Sequence, residues 1–188
     1  IFAFYFTMEL ANGTYTIQGL ELPALCQEFG TPLYVYDGDK MVSQLKSLKN
    51  AFSETDVRVK YAAKALTNIS ILKLLKKHGA GVDVVSIQEA QIALGAGFEP
   101  SEIMFTPNCV DFEEIVQGVE LGLNINLDNL SVLEKFGKKY GNAIPCCVRL
   151  NPHIMAGGNY KISTGHSNSK FGISVYQLPE IMQLATRY

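Results

Sequence analysis

The sequence predicts an α/β fold on a parallel sheet, and three observations carry that prediction. From residue 57 onward, short β-branched or apolar runs alternate with helical patterns about every 20 residues. All of these runs but the first are read as departing from strict period-2 alternation, as expected of strands covered on both faces. The segments between them carry the stop and start residues of helices, and such alternation is the signature of βα units. The composition permits a core: 188 residues, 47% hydrophobic and 18% charged, with 16 glycines and a formal net charge of -2. That balance excludes disordered, collagen-like and disulfide-miniprotein classes. So small a net charge also argues against nucleic acid or an anionic membrane surface as the main partner.

Taken in order, Ile1 to Phe6 is apolar but too short to span a membrane, and with no basic residue ahead of it a signal-peptide remnant is the lesser reading. Met8 is a more natural start, and residues 1–7 are read as an extension upstream of it. Thr14–Gln18 and Pro32–Asp37 read as strands flanking a short helix around Leu22–Glu28, and Lys40–Phe52 as an amphipathic helix through Met41, Leu45, Leu48 and Phe52. The β-rich grammar before residue 38 suggests a separate unit. The strands of the βα region are expected at Val57–Ala63, Val82–Ser86, Ile103–Thr106, Leu123–Leu127 and Pro145–Leu150. Asn68 or Ser70 caps the first helix between them; Ser86 with Glu89, Asp111 with Glu114 and Ser131 with Glu134 fit capping boxes, and Gly95, Gly122 and Gly141 fit helix stops. These glutamates are therefore structural. Pro152–Gly172 breaks the rhythm with a long polar loop, of the kind that carries function.

Ligands of parallel α/β sheets gather beyond the carboxyl ends of the strands. In strand order, the residues there are Lys64, then Asp83 with Ser86, Asn108, Asp128, and finally Arg149 with Asn151. Lys64 stands between Ala63 and Ala65; an apolar setting would lower its pKa and free a neutral amine for Schiff-base chemistry with a carbonyl cofactor. A solvated lysine is the commoner outcome from spacing alone, and Lys60 shares its parity. Asp83, inside an apolar run, requires a cation or donor, and Lys64 on the neighbouring strand is the obvious one. Arg149 is a fixed cation suited to a phenolate or carboxylate oxygen. Singly, each of these fits a structural ion pair equally well. His78 reads as a helix C-terminal cap, while His153 and His166 make no metal-ligand spacing with the four cysteines. The cysteines form no CxxC pair, which favours a reducing, cytoplasmic location. Gly157-Gly158 and Gly165 build no phosphate-binding motif.

Five motifs in order resemble the diaminopimelate decarboxylase family. They are Thr31-Pro32-Leu33-Tyr34-Val35-Tyr36-Asp37; Tyr61-Ala62-Ala63-Lys64-Ala65; Gly81-Val82-Asp83-Val84-Val85-Ser86 with Glu89; Arg149-Leu150-Asn151-Pro152; and Ile162-Ser163-Thr164-Gly165 with Ser169-Lys170-Phe171-Gly172-Ile173. The resemblance implies a pyridoxal-phosphate enzyme of the alanine-racemase-like fold type. Its fold would be a partial (β/α)8 TIM barrel over residues 38–188, with residues 8–37 contributing to a second, β-rich domain. Lys64 would hold pyridoxal 5'-phosphate as a Schiff base, with Asp83 beside it, Arg149 near the ring oxygen and Lys170 in a homodimer interface. The substrate would be the amino acid meso-2,6-diaminopimelate and the products L-lysine and carbon dioxide, the last step of lysine biosynthesis, in the cytoplasm, with no nucleic-acid or membrane partner. The resemblance further implies that these residues are the N-terminal part of a longer enzyme and inactive alone. Pro107-Asn108-Cys109 departs from the asparagine-asparagine-lysine run that relatives often carry. Sibling decarboxylases acting on ornithine, arginine or carboxynorspermidine, a non-catalytic cofactor-binding barrel, and a self-contained doubly wound domain remain as alternatives.

Overall fold

The structure is a computed structural model that describes residues 8–155, 163–166 and 168–188. Residues 1–7, Gly157-Gly158 and Ile162, singled out in the sequence, lie outside the described residues. The chain divides into two compact units, Ile1–Val57 and Arg58–Tyr188.

In the first unit, β1 (Glu9–Ala11), β2 (Thr14–Ile17) and β3 (Leu20–Glu21) form an antiparallel meander. Alternation alone predicts only β2. The other two strands are added by two-residue turns at Asn12-Gly13 and Gln18-Gly19, whose φ values of 52°, 79°, 50° and 77° match the turn that a twisted hairpin favours. Helix α1 (Leu22–Phe29) begins with Pro23 in its first turn, and α2 (Gly38–Ala51) is capped by Asp37, whose side chain accepts the Lys40 N–H at 2.9 Å. The strand expected over Pro32–Asp37 does not form. Its pattern favours extended backbone, but a strand requires a neighbour to complete its ladder, and residues 33–37 pair with none of the described residues. Tyr34 is left 84% exposed.

The second unit repeats one motif. Strands β4 (Lys60–Ala62), β5 (Gly81–Val84), β6 (Ile103–Phe105), β7 (Asn124–Leu127) and β8 (Cys146–Val148) lie parallel and side by side in chain order. Between them run α3 (Ile69–Lys77), α4 (Ile87–Gly95), α5 (Phe112–Glu120) and α6 (Leu130–Tyr140). The succession continues beyond the five expected strands: β9 (Leu150–Asn151) pairs in parallel with β10 (Ile173–Ser174), which leads into α7 (Leu178–Arg187). Among the described residues the strand order is unbroken and holds no switch point of the kind a doubly wound sheet has.

Alternate strand residues form the core. Val82, Val84, Ile103, Phe105, Ile125 and Leu127 are buried against Leu72, Ala90, Ile115, Leu133 and Phe136 of the helices. The caps differ in detail from expectation. Asn68 accepts the N–H groups of Ser70 and Ile71, and Ser86 accepts that of Glu89, but the Glu89 carboxylate bonds the N–H of Val85 rather than Ser86. Asp111 makes no side-chain cap, and Asn129 takes the place expected for Ser131, because its amide oxygen reaches the N–H groups of Ser131 and Val132 and the Ser131 hydroxyl. Glu134 pairs instead with Lys138, one turn on, at 2.9 Å. Gly122 and Gly141 stop helices with φ of 74° and 55°, whereas after α4 the left-handed residue is Gly97 (φ 95°), not Gly95.

Around Glu102, before β6, the Glu99 N–H and Lys76 Nζ converge on one carboxylate oxygen at 2.8 and 3.0 Å, and Lys76 also donates to the Gly97 carbonyl. The Glu99 N–H and then Lys76 hold the Glu102 carboxyl below the usual carboxylate range. Among the described residues no helix is long and apolar enough to cross a membrane.

At Gly118 an added Cβ would come within 2.7 Å of the buried Phe105 ring, while at Gly95 it meets nothing within 4 Å. Gly118→Ala should lower stability by about 1–3 kcal/mol through overpacking, and Gly95→Ala should leave it unchanged or raise it by up to about 1 kcal/mol, as read by urea denaturation. A lowered folded-state pKa means that the unfolded chain binds more protons as pH falls through the carboxylate range, so the contribution of Glu102 is present above that range and lost below it. The acid limb of the stability profile should therefore be shallower in Glu102→Gln.

Candidate active site

Since paired residues of parallel strands share a face, the registers Ala62↔Asp83↔Met104↔Asn124 and Asn126↔Cys147 define the side of the sheet turned away from the helices. Lys60, Asp83, Asn124, Asn126 and Cys147 lie there, opposite the buried Val82, Ile103 and Ile125. Chain alternation adds Thr106 beyond β6 and Arg149 beyond β8. Thus one face is the core and the other is polar, and the expectation that the strands are covered alike on both faces is corrected by this alternation. The adjacent cysteines show the division: burial pushes the Cys146 thiol up, whereas Cys147 is exposed on the polar side.

Lys64 stands at the carboxyl end of β4 in a tight turn, Ala63–Ala65, closed by the Leu66 N–H to the Ala63 carbonyl at 3.0 Å. Ala63 is buried, but Lys64 points to solvent, so the apolar setting expected for it is absent. Lys60, by contrast, is half-buried. Burial pushes its ammonium below the usual lysine range, with Asp83 opposing, and its Nζ donates to the Glu102 carbonyl at 2.8 Å. The expected Lys64–Asp83 ion pair is not made within 4.0 Å; the Asp83 carboxylate instead accepts the Thr106 hydroxyl at 2.5 Å. Asn126 donates in turn to Thr106 at 3.3 Å, and Asn108 donates to Asp128 at 2.6 Å. Sequence inspection passed over Thr106 and Asn126, although both share the parity of Asp83 on successive strands.

Arg149 continues the ladder, donating its N–H to Leu127 at 2.7 Å and accepting that of Ile173 at 2.8 Å. Its guanidinium sits 4.8 Å from the centre of the Phe171 ring, and Lys170 Nζ lies 5.2 Å from the same ring. Arg149 and Phe171 line a cavity of about 500 Å³ with Ser163, Thr164 and Gly165, whereas Lys170 also lines a smaller hollow of about 210 Å³ beside Asn108 and Asp128. The polar loop is pinned at its base. Asn151, only 3% exposed, accepts the His153 N–H at 3.0 Å and donates to the His166 carbonyl at 3.1 Å, and the His153 ring meets the Ser174 hydroxyl at 2.8 Å. Gly172, at φ 79°, passes so close to Asn151 that a Cβ would lie 2.9 Å from its nitrogen. His78 closes α3 as its C-terminal cap.

Of the motif residues in the second unit, Lys64 stands at the carboxyl end of β4, Asp83 near that of β5 and Arg149 just beyond β8, so these three share the carboxyl edge of the sheet. Comparison with known proteins bears on what that edge is. Residues 38–188 match the family described as pyridoxal-dependent decarboxylase, pyridoxal binding domain. The chain is 35% identical over 176 residues to diaminopimelate decarboxylase of Methanothermobacter thermautotrophicus, covering 93% of this chain and 41% of that protein. It is likewise 35% identical to the Escherichia coli enzyme of that name, over 90% of this chain and 39% of the relative. The crystal structure of diaminopimelate decarboxylase from M. jannaschii superimposes with a TM-score of 0.82 at 32% identity, over 96% of this chain and 44% of that one. A lysine/ornithine decarboxylase from Vibrio vulnificus, complexed with putrescine, gives 0.71 at 27% identity, over 88% and 41%. The chain therefore spans about two fifths of the length of the relatives it matches.

Proposed function

The chain belongs to the pyridoxal-dependent decarboxylases, through their pyridoxal-binding domain, and on that premise we propose that the protein decarboxylates meso-2,6-diaminopimelate to L-lysine and carbon dioxide. The observation that carries this reading is the match at 35% identity, over 93% of the chain, to a diaminopimelate decarboxylase; the lysine/ornithine enzyme stands lower at 27%.

In this reading residues 38–188 begin a (β/α)8 barrel and residues 8–37 contribute to a β-rich domain, with the boundary where the family match begins. The compact units themselves divide later, after Val57. Strand order supports the barrel, because right-handed crossovers between consecutive neighbours put every helix on one side, and such a sheet shelters its other face by curling.

The donor set fits an anionic aromatic aldehyde. Lys64 offers a solvent-facing amine at a strand end, able to lose a proton and bond to a carbonyl carbon. Asp83, held through one oxygen by Thr106, presents a carboxylate on the adjacent strand. Arg149, with its guanidinium over the Phe171 ring, supplies a cation for an oxyanion. When bound, pyridoxal phosphate supplies the electron sink that makes loss of carbon dioxide feasible. The polar face keeps these groups at fixed separations, while the loop pinned by Asn151 borders the cavity beside Arg149. Lys170, which also lies over Phe171, is assigned to a homodimer interface, and the four free thiols accord with a cytoplasmic location.

The protein as expressed from its gene should release carbon dioxide from meso-diaminopimelate and carry the visible absorbance of bound cofactor. Lys64→Ala should abolish both. Retention of both in that variant, or preferential turnover of ornithine or lysine by the wild type, would overturn the reading.

A further inference from the structure

Asp83 stands opposite Ala62, so Lys60 and Lys64 flank it two residues away on either side along the neighbouring strand and its turn. A carboxylate between two ammonium groups pairs with whichever it can reach. Two features bear on that choice. Gly81 leaves a notch: a Cβ there would lie 3.1 Å from Lys60 Cγ and 2.8 Å from the Glu102 carbonyl oxygen, and across this gap Lys60 Nζ reaches that oxygen at 2.8 Å. Lys60 makes no ion pair with Asp83 within 4.0 Å among the described residues. On the other side, the Thr106 hydroxyl donates to Asp83 Oδ1 at 2.5 Å and accepts from Asn126 Nδ2 at 3.3 Å. Because the amide nitrogen only donates, it commits the hydroxyl proton to Asp83.

We propose that Thr106, oriented by Asn126, is a positioning residue that fixes Asp83 Oδ1 and reserves Oδ2 for Lys64 and the group Lys64 binds, while the Gly81 notch keeps Lys60 from competing. The proposal rests on the pyridoxal-phosphate reading above, and Thr106 and Asn126 act only through Asp83. It needs no change of protonation. Its content is geometric: without the hydroxyl, the carboxylate turns toward Lys60 and is lost to the cofactor edge.

The test is equilibrium binding of pyridoxal 5'-phosphate to the protein as expressed from its gene, with the wavelength of the bound cofactor's visible band as a second readout and thermal unfolding as the control for folding. Thr106→Val should weaken binding by roughly tenfold to a hundredfold and shift the band, as loss of one hydrogen bond to a charged group implies. Thr106→Ser should bind within about threefold of wild type. Lys60→Met should bind as wild type, and Thr106→Val combined with Lys60→Met should recover part of the lost affinity. Should Thr106→Val not fold, Asn126→Leu, which leaves the hydroxyl free to turn away, should weaken binding in the same direction. Wild-type affinity and band in Thr106→Val overturn the proposal, as does Thr106→Ser failing alongside it, or a loss in Lys60→Met alone equal to that in Thr106→Val. A wild type that binds no cofactor overturns the function instead.

Discussion

The constraint on which the second unit depends is the period of two along each strand, combined with helices on one side only. Val82, Val84, Ile103, Phe105, Ile125 and Leu127 meet the helices and are removed from water, and their burial is the main favourable term for the unit. The intervening residues are thereby committed to the other side. Asp83, Thr106, Asn126 and Arg149 do not have to find one another through long loops; the hydrophobic half of each strand aims the polar half.

Fine positioning is left to hydrogen bonds with little freedom. Asn151 joins the two limbs of the polar loop, and Gly172 allows the returning limb to press against it. Lys60 is drawn across β5 to a backbone carbonyl at the amino end of the sheet, while Thr106 meets Asp83 at the carboxyl end. Two cations share the Phe171 ring, so the orientation of Arg149 is coupled to that of Lys170 through one side chain.

Much of this was legible in the sequence, because the signals were local. Each expected βα strand appears within a few residues of its place, and Asn68 and Ser86 cap as their side-chain chemistry requires. What failed to read was in part non-local. Tyr34 and its neighbours have strand chemistry but no described partner; the Asn129 cap, a local miss, displaced Ser131 because two polar residues two positions apart competed for one role. The same holds at the site. Residue type and strand position brought out Lys64, Asp83 and Arg149, but the setting of Lys64 was misjudged, since flanking alanines say nothing of which way a turn directs the side chain between them. Thr106 became visible only once the register placed it beside Asp83.

The unbroken strand order also bears on how the chain reaches this arrangement. Strands begin at Lys60, Gly81, Ile103, Asn124 and Cys146, so each pairs with the strand one helix earlier, at a repeat of 21 or 22 residues. Loop-closure cost rises only slowly with length, and the near-constant separation makes each successive pairing cost about the same to close. The sheet can therefore grow by addition, one βα unit upon the last, and polar groups on neighbouring strands meet as soon as those strands do. Asp83 and Thr106 come together at the second such addition, whereas Arg149 and Phe171 must await closure of the polar loop. Where the sheet grows in chain order, order in the chain becomes order in time, and the carboxylate is held before the guanidinium arrives.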